Sequence, residues 1–346
     1  MRTRLPNVSV SAPGRYGSVA RCARWVHIVT LMMLAVSCAG RSAVRTTAGD
    51  AARTDISQLW LTPGDLESRD LFYGAGGRDL APDPADTYAL VEVDNSGYSP
   101  GYAVRDREGT RWSVKLGIEA QPELVATRIL WAIGYHQPAN YVLTDWRFSD
   151  KQNQAQPLAR FRREQSDQKV VSDWSWYENP FVTTQAFKGL VVANLVLNNW
   201  DWKTSNNKVY DVTSADGSAR RVYIVRDLGA SLGKTTFPRF LKWTPMRGMG
   251  QGSRNDLEGF EEQGFIKRVE GQRVEFHYRG IHQNLVNLLT VDDVAWTCRL
   301  LARLSDEQWD DAFRAAGYDS TQRERYIAKM KSKIAEGLAL RGSAAD

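Results

Sequence analysis

Between residues 87 and 116 apolar and polar positions alternate in three short runs, TYALVEV, YAVRD and TRWSVKL, joined by DNSGYSPG and REG. A period of two puts successive side chains on opposite faces, so the pattern predicts three strands connected by turns. From residue 119 the period lengthens. In EAQPELVATRILWAIG, Leu124, Ile129, Leu130 and Ile133 recur at helical spacing, Pro122 stands in the first turn and Gly134 closes the run, which predicts a helix over 119–134. Residues 135–148 return to a strand pattern. Residues 149–180 are rich in Gln and Arg and then in Trp (DWSWYENP), and read as a solvated insert. Residues 181–200 are apolar and predict a buried helix; 208–212 and 221–225 predict a strand pair around Ser214-Ala215-Asp216-Gly217. Residues 236–280 read as loop-rich. Thr290 with Asp293, and Ser305 with Gln308, have the spacing of helix capping boxes, so the chain closes in helices, the last over 320–340.

The ends and joints follow from composition. Residues 59–86 carry turn signals throughout: Pro63-Gly64, Gly74-Ala75-Gly76-Gly77, Pro82 and Pro84. They predict an irregular lead-in that wraps the domain, and no lysine follows the glycines at P-loop spacing. Residues 1–24 are basic, and 25–39 (WVHIVTLMMLAVSCA) are apolar. That stretch has the length of a signal-peptide core and falls short of the roughly 20 residues that span a bilayer. A small residue precedes Cys38, as at a bacterial lipoprotein processing site. Lipidation of Cys38, simple cleavage after Ala39 and an uncleaved anchor are open; the first two predict export, as a periplasmic protein or a membrane-anchored lipoprotein, and lipidation would make Cys38 the membrane contact. Residues 40–58 are small and polar, a tether. The expected order is signal segment 1–39, tether 40–58, lead-in 59–86, β-rich lobe 87–148 and helical lobe 149–346.

The 346 residues are 42% hydrophobic and 25% charged, as in ordinary globular proteins. Arg2, Arg4, Arg15, Arg21, Arg24, Arg41 and Arg45 all precede the first acid and more than account for the formal net charge of +5. The remainder is near neutral, so no nucleic-acid partner is indicated. Most of the 12 Trp lie in apolar runs and are expected in the core. With Cys22 and Cys38 in the leading segment, Cys298 stands alone, which excludes a disulfide framework and a cysteine zinc site. The four histidines show no ligand spacing. A metal would therefore be held by carboxylate and amide oxygens, as suits Mg²⁺ or Mn²⁺.

Chemistry-bearing residues gather in two windows. NNWDWKTSNN sets Asp201, Lys203 and Asn206 at the spacing D-x-K-x-x-N, and RDLGASLG sets Asp227 before Leu-Gly at a strand end. Upstream, Lys115 lies between apolar neighbours in the third strand and needs an anionic partner or ligand. Glu123, inside the next helix, is the expected partner, with Glu119 in reserve. Gly97 and Gly101 flank the first strand turn. GTRWSVKLGIEAQPELVATRILWAIGY, NNWDWKTSNN and RDLGASLG, in this order, resemble the protein-kinase-like superfamily. The likeness is to its atypical branch of HipA-type, phosphatidylinositol 3-/4- and secretory-pathway kinases, and to bacterial exported proteins of that fold. It spans roughly residues 87–340 and implies an α+β, two-lobed fold: a small antiparallel β lobe with one helix, and a larger, mainly helical lobe. It further implies Lys115, Gly97 and Gly101 at the phosphates of ATP, Glu123 holding Lys115, and Asn206 and Asp227 on Mg²⁺ or Mn²⁺. Asp201 would serve as base and Lys203 would touch the transferred phosphoryl group. Asn199-Trp200 replace the His-Arg that precedes this acid in protein kinases, and no A-P-E signature is present. The acceptor is thus left open among protein, sugar and lipid headgroup. Nucleotidyl transfer and a non-catalytic binding role are the alternatives.

Overall fold

The alternating runs form strands, as their period requires. The computed structural model describes residues 55–94, 99–150, 154–214, 216–235 and 252–340; the expected signal segment with Cys38, most of the tether and Gly97 lie outside them. The first strands are β1 (Thr87–Asp94), β2 (Gly101–Arg105) and β3 (Arg111–Leu116), followed by helix α1 (Ala120–Ala132). Then come β4 (Asn140–Leu143), β5 (Trp146–Phe148), β6 (Ala155–Gln156) and β7 (Ala159–Arg163). All seven strands make one sheet in the order β4-β7-β3-β2-β1-β5-β6. Its pairings are antiparallel except β1 with β5, which is parallel. Only a short turn separates β4 from β5, yet they stand near opposite ends of that order, so the sheet must curl until its ends approach. Tyr88, Trp112, Tyr141, Trp146, Phe148 and Phe161 fill the concave side. Trp146 meets Phe161 edge-on, with centroids 5.3 Å apart, the geometry that ring quadrupoles favour.

β7 corrects the reading of 149–180 as a solvated insert. It lies inside the sheet between β3 and β4, so the β-rich part continues past residue 148 to Arg163. Period two is present there, but the polar half of the alternation is Arg160 and Arg162, charged side chains that face inward. Farther on, Trp174 and Trp176 are buried.

The second half begins with β8 (Gln168–Asp173) and α2 (Gln185–Val196), then β9 (Asn207–Thr213) and β10 (Ala219–Val225). These strands form a separate antiparallel sheet, β10-β9-β8. Residues 252–280, expected as loop, carry α3 (Leu257–Glu262) and the hairpin β11 (Ile266–Glu270) with β12 (Arg273–Phe276). The chain ends in α4 (Gln283–Val286), α5 (Val291–Leu301), α6 (Asp306–Ala315) and α7 (Ser320–Ala339). Both expected capping boxes form, Thr290 with Asp293 and Ser305 with Gln308. A second apolar core unites α2, α5, α6 and α7 with the inner face of α1, through residues such as Leu124, Ile129, Leu190, Val196, Phe313 and Met330. The fold is α+β, a curled seven-stranded sheet with one helix ahead of a mainly helical part. No helix among the described residues is long and apolar enough to cross a membrane.

Candidate active site

Register decides which face of the curled sheet bears the chemistry. Val104, Trp112, Val114 and Phe161 point into the aromatic core. The intervening residues therefore share the opposite face, in two cross-strand rows. One row is Asp94, Gly101, Lys115, Arg160 and Val142; the other is Glu92, Ala103, Ser113, Arg162 and Asn140. α1 lies over this face, and Glu123 sits between the two cations of the first row. Its Oε2 is 3.0 Å from Lys115 Nζ and its Oε1 3.1 Å from Arg160 Nε. Glu119, the reserve partner, is 3.5 Å from Lys115. Asp227, 112 residues along the chain, brings Oδ1 to 3.3 Å from the same nitrogen.

The electrostatics follow from this crowding. Burial alone would raise the Glu123 carboxyl, but Arg160, then Lys115 and Arg162, hold it down at about 2. Burial would likewise lower Lys115; the carboxylates of Glu123 and Asp227 outweigh it and carry the amine above its ordinary value. Lys115 is thus a firmly charged ammonium that two acids aim into the space between the lobes.

The loop after α2 is built on asparagines. Asn194 Oδ1 accepts from Asn199 Nδ2 at 2.7 Å, Asn199 Oδ1 accepts from the Asp201 amide at 3.2 Å, and Asn206 Nδ2 donates to the Asp201 carbonyl at 2.8 Å. Lys203, largely exposed, reaches the Asp201 carboxylate at 2.9 Å. The Asn206 carbonyl accepts from the Arg226 amide at 2.9 Å, which ties this loop to the residue before Asp227. Asp227 itself has φ 53, in the left-handed region that a non-glycine residue occupies at a cost of about 1–3 kcal/mol. Leu232 N donates to Leu197 O, and Asn198 Nδ2 to Gly233 O at 2.7 Å, so the two loops form one body. His282 donates from Nε2 to Trp202 O at 2.7 Å and accepts from the Tyr177 hydroxyl at Nδ1. Burial holds it below its usual range.

The donor chemistry for a cation can be judged from these bonds. Asn206 spends its amide nitrogen on Asp201 and keeps an amide oxygen, and Asp227 has a second carboxylate oxygen beyond the one on Lys115. Among the described residues no three His, Cys, Asp or Glu side chains gather to hold a metal by themselves. Two hard oxygens on adjoining loops fit an ion such as Mg²⁺ that keeps waters or phosphate oxygens in its shell.

Of the expected site residues, the structure brings together Lys115, Glu123 and Asp227, and joins Asp201, Lys203 and Asn206 in a loop bonded to the Asp227 segment. Gly101 stands opposite Lys115 in β2. Sequence reasoning missed Arg160, Arg162 and Arg226. The alternation around Phe161 in ARFRR was the available signal.

No family model matches the chain, and no curated protein matches it. A solved structure to which it is similar is that of a Helicobacter pylori proinflammatory kinase, CtkA, at a TM-score of 0.45 and 9% identity, over 75% of this chain and 97% of that one.

Proposed function

We propose that this chain is an atypical kinase, a metal-dependent phosphotransferase that takes the γ-phosphoryl group of a nucleoside triphosphate such as ATP. The observation that carries the reading is the convergence of Glu123 and Asp227 on Lys115 Nζ, at 3.0 and 3.3 Å. A desolvated ammonium held by one acid from a helix and another from a distant loop is suited to the α- and β-phosphates. Asn206 and Asp227 would hold Mg²⁺ or Mn²⁺, which when bound neutralises phosphate charge. Gly101 would let the β2 backbone lie near the phosphates; Gly97, assigned with it from the sequence, lies outside the described residues. Asp201, positioned by Asn199 and Asn206, would accept the proton of the acceptor hydroxyl, and Lys203 beside it would meet the transferred group. Catalysis by this set is positioning and charge compensation. The acceptor is a hydroxyl of a protein, a sugar or a lipid headgroup. The cell-envelope location that accompanies this reading rests on residues 1–39.

The test uses full-length protein with Mg²⁺ or Mn²⁺ and nucleotide labelled at the α or γ position. Label should transfer from γ only. Asp227→Ala should abolish metal-dependent nucleotide binding. Asp201→Asn should leave binding intact and slow turnover by about 10²–10⁴-fold, the usual worth of a positioned base. Transfer of the α label would replace the reading with nucleotidyl transfer, and absence of nucleotide binding would leave a non-catalytic role.

A further inference from the structure

The row beside Lys115 has a feature that the phosphate assignments do not use. Next to Lys115 along the strands lie Ala103 and Ser113, paired across β2 and β3. Two residues along a strand span roughly 6.6 Å. A ligand whose phosphates meet Lys115 and Asp227 would therefore extend its far end over these small side chains, a floor flat enough for an aromatic ring. Arg162 is the cross-strand partner of Ser113, and its Nη2 lies 3.4 Å from the Ser113 hydroxyl, so the guanidinium head stands at the rim of that floor. Its Nη1 is buried and has no hydrogen-bond partner among the described residues. Arg226 donates from Nη1 to the Tyr210 hydroxyl at 2.6 Å and leaves Nε buried without one. The acids nearby, Glu123 and Asp227, are engaged by Lys115 and Arg160. Burial, then the like charges of Arg160 and Arg226, lower Arg162 to about 9, which leaves it charged at neutral pH.

Guanidinium groups only donate hydrogen bonds, and buried donors left unpaired are costly. A base at this rim must offer acceptors. Guanine presents O6 and N7 side by side to an arginine, whereas adenine sets an amino group in place of O6, donor against donor. We propose that this site selects 6-oxopurine nucleoside triphosphates over ATP, with Arg162 as the specificity-determining residue and Arg226 in support. The inference rests on the nucleotide reading above.

The experiment measures by titration calorimetry the affinity of full-length protein, with Mn²⁺, for GTP, ITP and ATP. ITP keeps O6 and N7 without the 2-amino group. GTP and ITP should both bind roughly tenfold to a hundredfold more tightly than ATP, the order of discrimination given by a two-pronged arginine contact. Arg162→Met should erase the preference by weakening GTP and ITP far more than ATP, and Arg162→Lys should restore only part of it. Thermal melts check folding, and Arg226→Met reports on the same edge should Arg162→Met not fold. ATP binding as tightly as GTP and ITP, or an unchanged ratio in the folded variants, overturns the base assignment and leaves phosphotransfer standing. Failure of all three nucleotides to bind overturns both.

Discussion

Glu123 holds two cations at once, and its placement makes it the residue whose loss is felt most widely. Removing its charge leaves Lys115 and Arg160 facing each other in a buried space, Arg160 being 2% exposed. Glu123→Gln should cost about 3–5 kcal/mol in denaturant unfolding, the usual penalty for breaking a buried pair, and should weaken nucleotide binding through Lys115. The carboxyl has a reference value of 4.5 and is held at about 2 in the fold. The folded value lies below the unfolded one, so the stabilisation is fully present above about pH 4.5 and is lost as pH falls toward 2. By linkage it amounts to roughly 3 kcal/mol. Urea titrations between pH 6 and 2 should show that slope in the wild type and a shallower one in Glu123→Gln; parallel curves would count against the pair. Lys115, Glu123 and Asp227 were legible as residue types at their spacing. The pairing of Glu123 with Arg160 was not, because that arginine enters from a strand disguised by its own charge.

Among the elements, α7 has a reach the sequence did not announce. Its Lys333, completely enclosed, donates to Val196 O at 2.9 Å and Asn198 Oδ1 at 2.7 Å and lies 4.0 Å over the ring of Phe260. It thereby steadies Asn198, whose φ is 52, at the root of the loop that carries Asp201. Burial holds the amine well below its ordinary 10.5. The unfolded chain then binds a proton that the folded chain sheds, so this group makes stability rise with pH in the window below 10.5. Lys333→Met abolishes that contribution and frees Asn198. Relative to the variant, the wild type should gain stability as pH rises toward 10.5 in chemical denaturation, and turnover of the variant should fall while the circular dichroism spectrum is kept. A gap that does not change with pH would show that Lys333 is held some other way. The element boundaries themselves were mostly legible, since caps and periods act locally: Thr290, Ser305 and the run ahead of Gly134 each mark an end by their own chemistry.

In the whole molecule, the two lobes meet where α1 begins. Glu119 accepts from Arg254, from the Ser99 hydroxyl at 2.9 Å, and lies beside Lys115. Arg254 in turn lies over the ring of Trp200, 4.8 Å from its centroid, so the residue before Asp201 helps seat the segment after the Asp227 loop. Gly229 is required at this junction, because a Cβ there would stand 2.5 Å from Glu119 Cβ and 2.9 Å from its carbonyl oxygen. Gly229→Ala must part the lobes locally, at a cost of about 1–3 kcal/mol. It should lower the melting midpoint by on the order of 5 °C and reduce turnover, whereas Gly64→Ala, with open space around it, should do neither. Equal melting of both variants would argue against a tight junction. By itself the sequence determined the strands before Lys115, the helix bearing Glu123, the loop from Asp201 to Asn206 and the strand leading to Asp227, because period, caps and turn residues act within a few positions. Only the tertiary structure decided that β7 enters the sheet, that Arg160 and Arg162 share the face of Lys115, and that Glu119 locks onto Arg254. Those outcomes depend on which distant strand lies alongside and on charges compensating one another across the fold, and neither is written in local spacing.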